Sequence, residues 1–118
     1  MQFDIDCNSS FATVFLGIRE LLFKHNLKEK KRENITSYFS EEGGICYLKT
    51  TKEGLIVGIF KGSQLDGKYP FINKGQKVIR HLYLNTLTKK DLSMVENIVN
   101  DSIILNIESS ENKRVKRR

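Results

Sequence analysis

Three groups of residues in this chain are of types that do chemistry. The first is Gly62-Ser63-Gln64-Leu65-Asp66-Gly67-Lys68, which has the G-x-x-x-x-G-K spacing of a phosphate-cradling loop and follows a predicted strand. Such a loop continues with a Ser or Thr hydroxyl for Mg²⁺ and opens a helix whose amides meet the phosphates. Here Tyr69 and Pro70 follow. The proline pushes Tyr69 away from helical geometry, and no βαβ layout surrounds the segment. Nucleotide hydrolysis is therefore not expected.

The second group is Cys7, Cys46, His25 and His81. These are single and scattered, without a Cys-x-x-Cys pair or the clustered ligands of a metal site. His25 sits at the polar end of a predicted helix, where an exposed or capping histidine is the ordinary reading. Cys46, on a predicted strand, reads as a small core hydrophobe. A Cys46–His81 nucleophile pair is conceivable only because both lie on strands. No catalytic residue, metal site or cofactor is expected from this set.

The third group is Tyr47, Lys49, Lys77, His81 and Tyr83. Strand side chains alternate between faces. In a predicted strand over 77–85, Val78, Arg80, Leu82 and Leu84 share one face, and Lys77, Ile79, His81 and Tyr83 the other. Over 45–50, Cys46 and Leu48 oppose Ile45, Tyr47 and Lys49. The more apolar sides should meet helices, which leaves Arg80 part-buried and in need of a carboxylate or carbonyl partner. The opposite sides bring rings and cations together, a combination that suits a planar or anionic ligand or an acidic patch on a partner. These five residues are the ligand-binding candidates. An ordinary solvated sheet face would show the same pattern.

The elements that must position them are legible in the periodicity. Phe11, Val14, Phe15, Ile18, Leu21 and Leu22 recur at helical spacing and predict a helix over 11–26, with Asn8, Ser9 and Ser10 as candidate caps. A basic, polar stretch over 28–38 reads as a loop or a short second helix. Residues 45–50 and 55–60 are rich in β-branched and aromatic types, and Thr51–Gly54 between them signals a hairpin. Gly58, inside the second strand, marks a bulge or the close approach of another element. Residues 62–76 read as a loop. Thr88 and Asp91 form a capping box before a last helix whose inward stripe is Leu92, Val95, Ile98, Val99, Ser102 and Ile103. The expected architecture is α+β: an antiparallel β-sheet packed against an N-terminal and a C-terminal helix.

At 118 residues the chain predicts one domain, placed at 1–107, with a disordered basic tail at 108–118. The tail carries five cations against two acids, a surplus of three, which is half of the net charge of +6. The body is thus only mildly basic. The tail also lacks interleaved aromatics that stack bases, so nucleic acid ranks low among partners. Two cysteines are too few for a disulfide framework. The opening MQFDIDCNSS carries acids and no apolar stretch, and no run approaches the ~20 residues that span a bilayer. The expectation is a soluble, cytoplasmic protein with free thiols and no membrane association.

With these elements in place, the segment from about Tyr38 to the last helix resembles the YdhG-like family of bacterial domains of unknown function. The cues are Tyr38-Phe39, then Cys46-Tyr47-Leu48, then Phe60-Lys61-Gly62 with Leu65, then Gly75, Lys77, Arg80 and His81. The family usually has Asp-Pro after Leu65, where this chain has Asp66-Gly67. The resemblance implies a compact α+β fold with an antiparallel sheet. It also implies, for some members, a frataxin-like iron-chaperone role. An iron surface of that kind uses a ridge of carboxylates, whereas the early helix carries only Glu20. The leading expectation is a non-enzymatic binding or interaction module for an unidentified small ligand or protein partner, with iron handling as the alternative.

Overall fold

The structure, a computed structural model, describes residues 1–72 and 76–116, with side chains up to residue 113. The chain runs α1 (Gln2–Cys7), α2 (Ala12–Lys24), β1 (Lys28–Lys31), β2 (Thr36–Ser40), β3 (Gly43–Thr50), β4 (Leu55–Ile59), a 3-10 turn (Gly62–Leu65), β5 (Arg80–Leu84) and α3 (Lys89–Lys116). The strands form one antiparallel sheet in chain order, β1-β2-β3-β4-β5. This is the α+β arrangement expected, a sheet with N-terminal and C-terminal helices.

One face of the sheet supplies Tyr38, Cys46, Leu48, Leu55, Val57, Ile59, Leu82 and Leu84 to the core. Phe15, Ile18 and Leu22 of α2 and Val95, Ile98 and Val99 of α3 close over it. Burying each such side chain contributes about 1.5–3 kcal/mol, so the heptad-like stripes on the two helices are what hold the sheet flat against them. Arg80 lies on the core side, 9% exposed. Its guanidinium makes two bonds to the Asp66 carboxylate, at 3.0 and 3.1 Å, and a further bond to the Gln76 carbonyl.

Several elements differ from the sequence reading. Residues 28–38 form neither loop nor helix but the β1–β2 hairpin, with Lys28 opposite Phe39 and Lys31 opposite Thr36. The sequence KEKK has little strand propensity. What selects the strand is tertiary: Glu29 accepts two bonds from Arg19 of α2, at 2.6 and 3.1 Å, and one from the Tyr38 hydroxyl at 2.8 Å. Burial pushes the Glu29 carboxyl up, but these bonds outweigh it and leave it below its ordinary value. Helix α1 was not foreseen either. It is pinned by Asp6, whose Oδ1 accepts from Gln2, the Thr50 amide and the Thr50 hydroxyl.

Strand β5 begins at Arg80, so Lys77 and Val78 precede it and Val78 is exposed. Ile45 does not share the outer face with Tyr47. The register steps from Tyr38↔Cys46 to Phe39↔Gly44, making Ile45 the extra residue of a bulge, and it is fully buried. The capping box forms as expected: the Thr88 hydroxyl accepts the Asp91 amide and the Asp91 carboxylate accepts the Thr88 amide. The helix it opens continues through Lys116, so residues 108–116 are helical. No Gly or Pro interrupts 89–118, and cations at a helix C-terminus complement its dipole. Residues 117–118 lie outside the described residues. None of the described helices is long and apolar enough to cross a membrane.

A candidate binding face on the open side of the sheet

The side of the sheet away from the helices is built by alternation. Lys28 and Lys30 stand on β1, Ser37 and Phe39 on β2, Gly44, Tyr47 and Lys49 on β3, Ile56 and Gly58 on β4, and His81 and Tyr83 on β5. Phe60, just past β4, continues this side. The register places Tyr47, Gly58 and His81 in one row across three strands, and Lys49, Ile56 and Tyr83 in the next.

Gly58 makes the first row work. A Cβ there would collide with the Tyr47 ring, whose Cζ lies 2.5 Å and Cδ1 2.7 Å from the ideal position. With no side chain on β4, the Tyr47 ring crosses that strand and its hydroxyl comes 2.6 Å from Nε2 of His81. The two rings meet edge to face at 5.8 Å. Gly44 does the same for Phe60, whose Cδ2 lies 2.7 Å from where a Cβ would be, with Phe39 Cε1 at 3.6 Å. Tyr47 and Phe60 are 6.0 Å apart. Phe39, Phe60, Tyr47 and His81 thus form a band laid along the sheet, and Tyr83, 43% exposed, stands beside it.

Burial sets the charge states in this band. It pushes the Tyr47 phenol up, helped by Tyr83, and it pushes the His81 imidazole down. Both groups are therefore neutral at pH 7, and the direction of their bond follows from which ring nitrogen carries the proton. A neutral phenol is a poor nucleophile, and Nε2 of the buried His81 is occupied by the Tyr47 hydroxyl, so the pair presents shape and hydrogen-bonding capacity. The backbone of His81 is held from its other side by Ile72, with Ile72 N donating to the His81 carbonyl at 2.9 Å and His81 N to the Ile72 carbonyl at 3.4 Å.

Of the five residues proposed from sequence, Tyr47, Lys49, His81 and Tyr83 share this face. Lys77 lies in the bend before β5, outside the strand. Phe39, Phe60, Lys28 and Lys30 were missed as site residues. Gly58 was the available signal, because a strand glycine invites a ring from a neighbouring strand. The pairing of β1 left no comparable trace in the sequence.

The alternative chemistries do not assemble. Cys46 is on the core side and fully buried, and burial pushes its thiol up to about 12, so it does not pair with His81. Lys68 and Tyr69, from the phosphate-loop look-alike, both bond Asp101 of α3, at 3.1 and 2.5 Å. Among the described residues no three His, Cys, Asp or Glu side chains are grouped to hold a metal ion. The larger hollows lie elsewhere: 440 Å³ between α2 and α3 around Gly17 and Leu92, and 580 Å³ between Lys68–Pro70 and α3. Comparison with family models, curated proteins and solved structures gave no match.

Proposed function

We propose that this protein is a non-enzymatic binding module, YdhG-like and cytoplasmic, that holds an anionic partner bearing a flat group on the open face of its sheet. One observation carries the reading. Strand residues on that face include Lys28, Lys30 and Lys49 and no carboxylate, while Tyr47, Phe60 and Tyr83 supply ring surface on the same side of the sheet. Cations beside rings favour a ligand that brings negative charge and a π-surface together. The iron-chaperone alternative calls for hard oxygen ligands and rests on the family resemblance alone.

Adenosine monophosphate is a convenient probe that joins a flat ring to an anion. Calorimetric titration should show binding by the wild type and loss of it in a Lys49→Ala, Tyr83→Ala double variant with an unchanged circular dichroism spectrum. Equal binding by the two proteins would overturn the reading.

A further inference from the structure

We infer that the occupant of this face is a single-stranded nucleic acid, read without sequence preference. The inference rests on the proposed binding role of the face and narrows it to one class of partner.

The first argument is shape. A small ligand is ordinarily held in a concave site that covers most of its surface. Here the rings of Tyr47 and Phe60 lie along the sheet over Gly58 and Gly44, the hollows of 440 and 580 Å³ belong to the helix side, and the hollow beside Tyr83, lined by Glu53, Ile72 and Asn85, is smaller at 290 Å³. A sheet face suits an extended partner. Five strands at roughly 4.8 Å spacing give it a width of about 19 Å between β1 and β5, enough for several linked nucleotides.

The second argument is the pairing of charge with rings. In the sequence, nucleic acid ranks low because the basic tail lacks interleaved aromatics. The lysines of the sheet face lie outside that tail, and the fold sets rings among them. The β1–β2 hairpin sets Lys28 directly opposite Phe39 and Lys30 opposite Ser37, whose other neighbour is Tyr47. Lys49 is separated from Tyr83 only by Ile56. Cations that follow a phosphate backbone, interleaved with rings on which bases stack, are the two components of sequence-tolerant single-strand binding. An acidic peptide would satisfy the lysines and make little use of the rings.

The third argument is continuity of charge. Asn106 of α3 bonds the Gly44 carbonyl at 3.1 Å, at the β2–β3 end of the sheet. The helix continues from there through Lys113 to Lys116. Ten residues of helix rise about 15 Å, so Lys113, Arg114 and Lys116 extend beyond the end of the sheet at which Phe39 and Phe60 lie, past the two acids Glu108 and Glu111. The surplus of charge there is small, so this continuity supports the inference less than the shape and the pairing do.

The test is fluorescence anisotropy on the full chain with a labelled single strand of about twelve nucleotides, within the usual range of site sizes. The comparison arms are the same sequence as duplex, polyglutamate, and adenosine monophosphate. The single strand should bind more tightly than the duplex. With three lysines engaged, raising salt from about 50 to about 200 mM should loosen it roughly 20-fold. Tyr83→Ala, at an exposed position, should weaken it about tenfold or more through lost stacking, with the melting temperature unchanged. Undiminished binding by Tyr83→Ala would assign the affinity to the basic end of α3 and overturn the inference. Preference for polyglutamate would replace nucleic acid with an acidic protein. Binding of the mononucleotide with no gain from the polymer would overturn this inference and leave the binding reading intact. Absence of binding in every arm would overturn both.

Discussion

The Tyr47 hydroxyl on β3 sits 2.6 Å from Nε2 of His81 on β5, and it reaches that atom by crossing β4 at Gly58. The contact depends on a hydrogen atom where every other residue has a carbon. Gly58→Ala should therefore destabilise the protein by ~1–3 kcal/mol, the usual cost of overpacking, although alanine is the better strand residue elsewhere. Urea denaturation measures this. An unchanged midpoint would show that the ring is not seated over β4.

His81 gives the fold a defined pH response. Burial lowers its pKa in the folded state, whereas the unfolded chain titrates near the ordinary value of about 6.5. As pH falls below about 6.5, the unfolded state binds a proton that the folded state refuses. This contribution is complete above about 6.5 and is lost as pH falls through that value toward the folded pKa. NMR titration of the ring should place the folded midpoint below 6.5. A midpoint at or above it would contradict the burial argument.

Cys46 should be inert. It is fully buried and its thiol is pushed up to about 12, so almost none is thiolate at neutral pH. Mass spectrometry after brief treatment with iodoacetamide should find Cys46 unmodified in the native protein and modified after denaturation. Rapid native modification would mean that the β3 core opens.

Two parts of α3 past Ile98, Asn106 and the turns after Ile107, should respond differently to change. Asn106 is 2% exposed and donates to the Ser40 hydroxyl and the Gly44 carbonyl. Asn106→Ala should cost about 1–3 kcal/mol by removing two hydrogen bonds to part-buried acceptors, at about 0.5–1.5 kcal/mol each. Truncation after Ile107 removes side chains that are largely exposed where described, so the unfolding midpoint should hardly move. A large loss on truncation would show that the terminal turns are docked.

Asp6 should matter out of proportion to the six residues of α1. Asp6→Ala strips the acceptor from both the Thr50 amide and its hydroxyl, at a cost of ~1–3 kcal/mol. Asp6→Asn retains a carbonyl oxygen and should cost less. If the two variants were equally stable, the hydrogen bonds would not be what holds α1 to β3.

Periodicity was enough to specify the parts that bury continuous apolar stripes. The α2 stripe, the β3–β4 hairpin and the α3 capping box are local in origin: each needs only residues within a turn or two of one another. The face shared by Tyr47, His81 and Tyr83 followed from alternation once those strands were neighbours. Neighbourhood itself was the assumption, and pairing of β4 between β3 and β5 supplied it.

What the tertiary structure decided lies where local preference is weak or opposed. KEKK becomes a strand because Arg19, ten residues earlier, and Tyr38, nine later, converge on Glu29. Ile45 enters the core because a bulge reverses its side of the sheet. Lys77 leaves the candidate face because β5 starts three residues later. Phe39, Phe60, Lys28 and Lys30 join that face only through register. The sequence alone determined which residues can be buried and which backbone each prefers, since those are properties of single side chains and short spacings. Which cation stands beside which ring is a property of strand order and register. Those are set by contacts between residues far apart in the chain, and no window of sequence contains them.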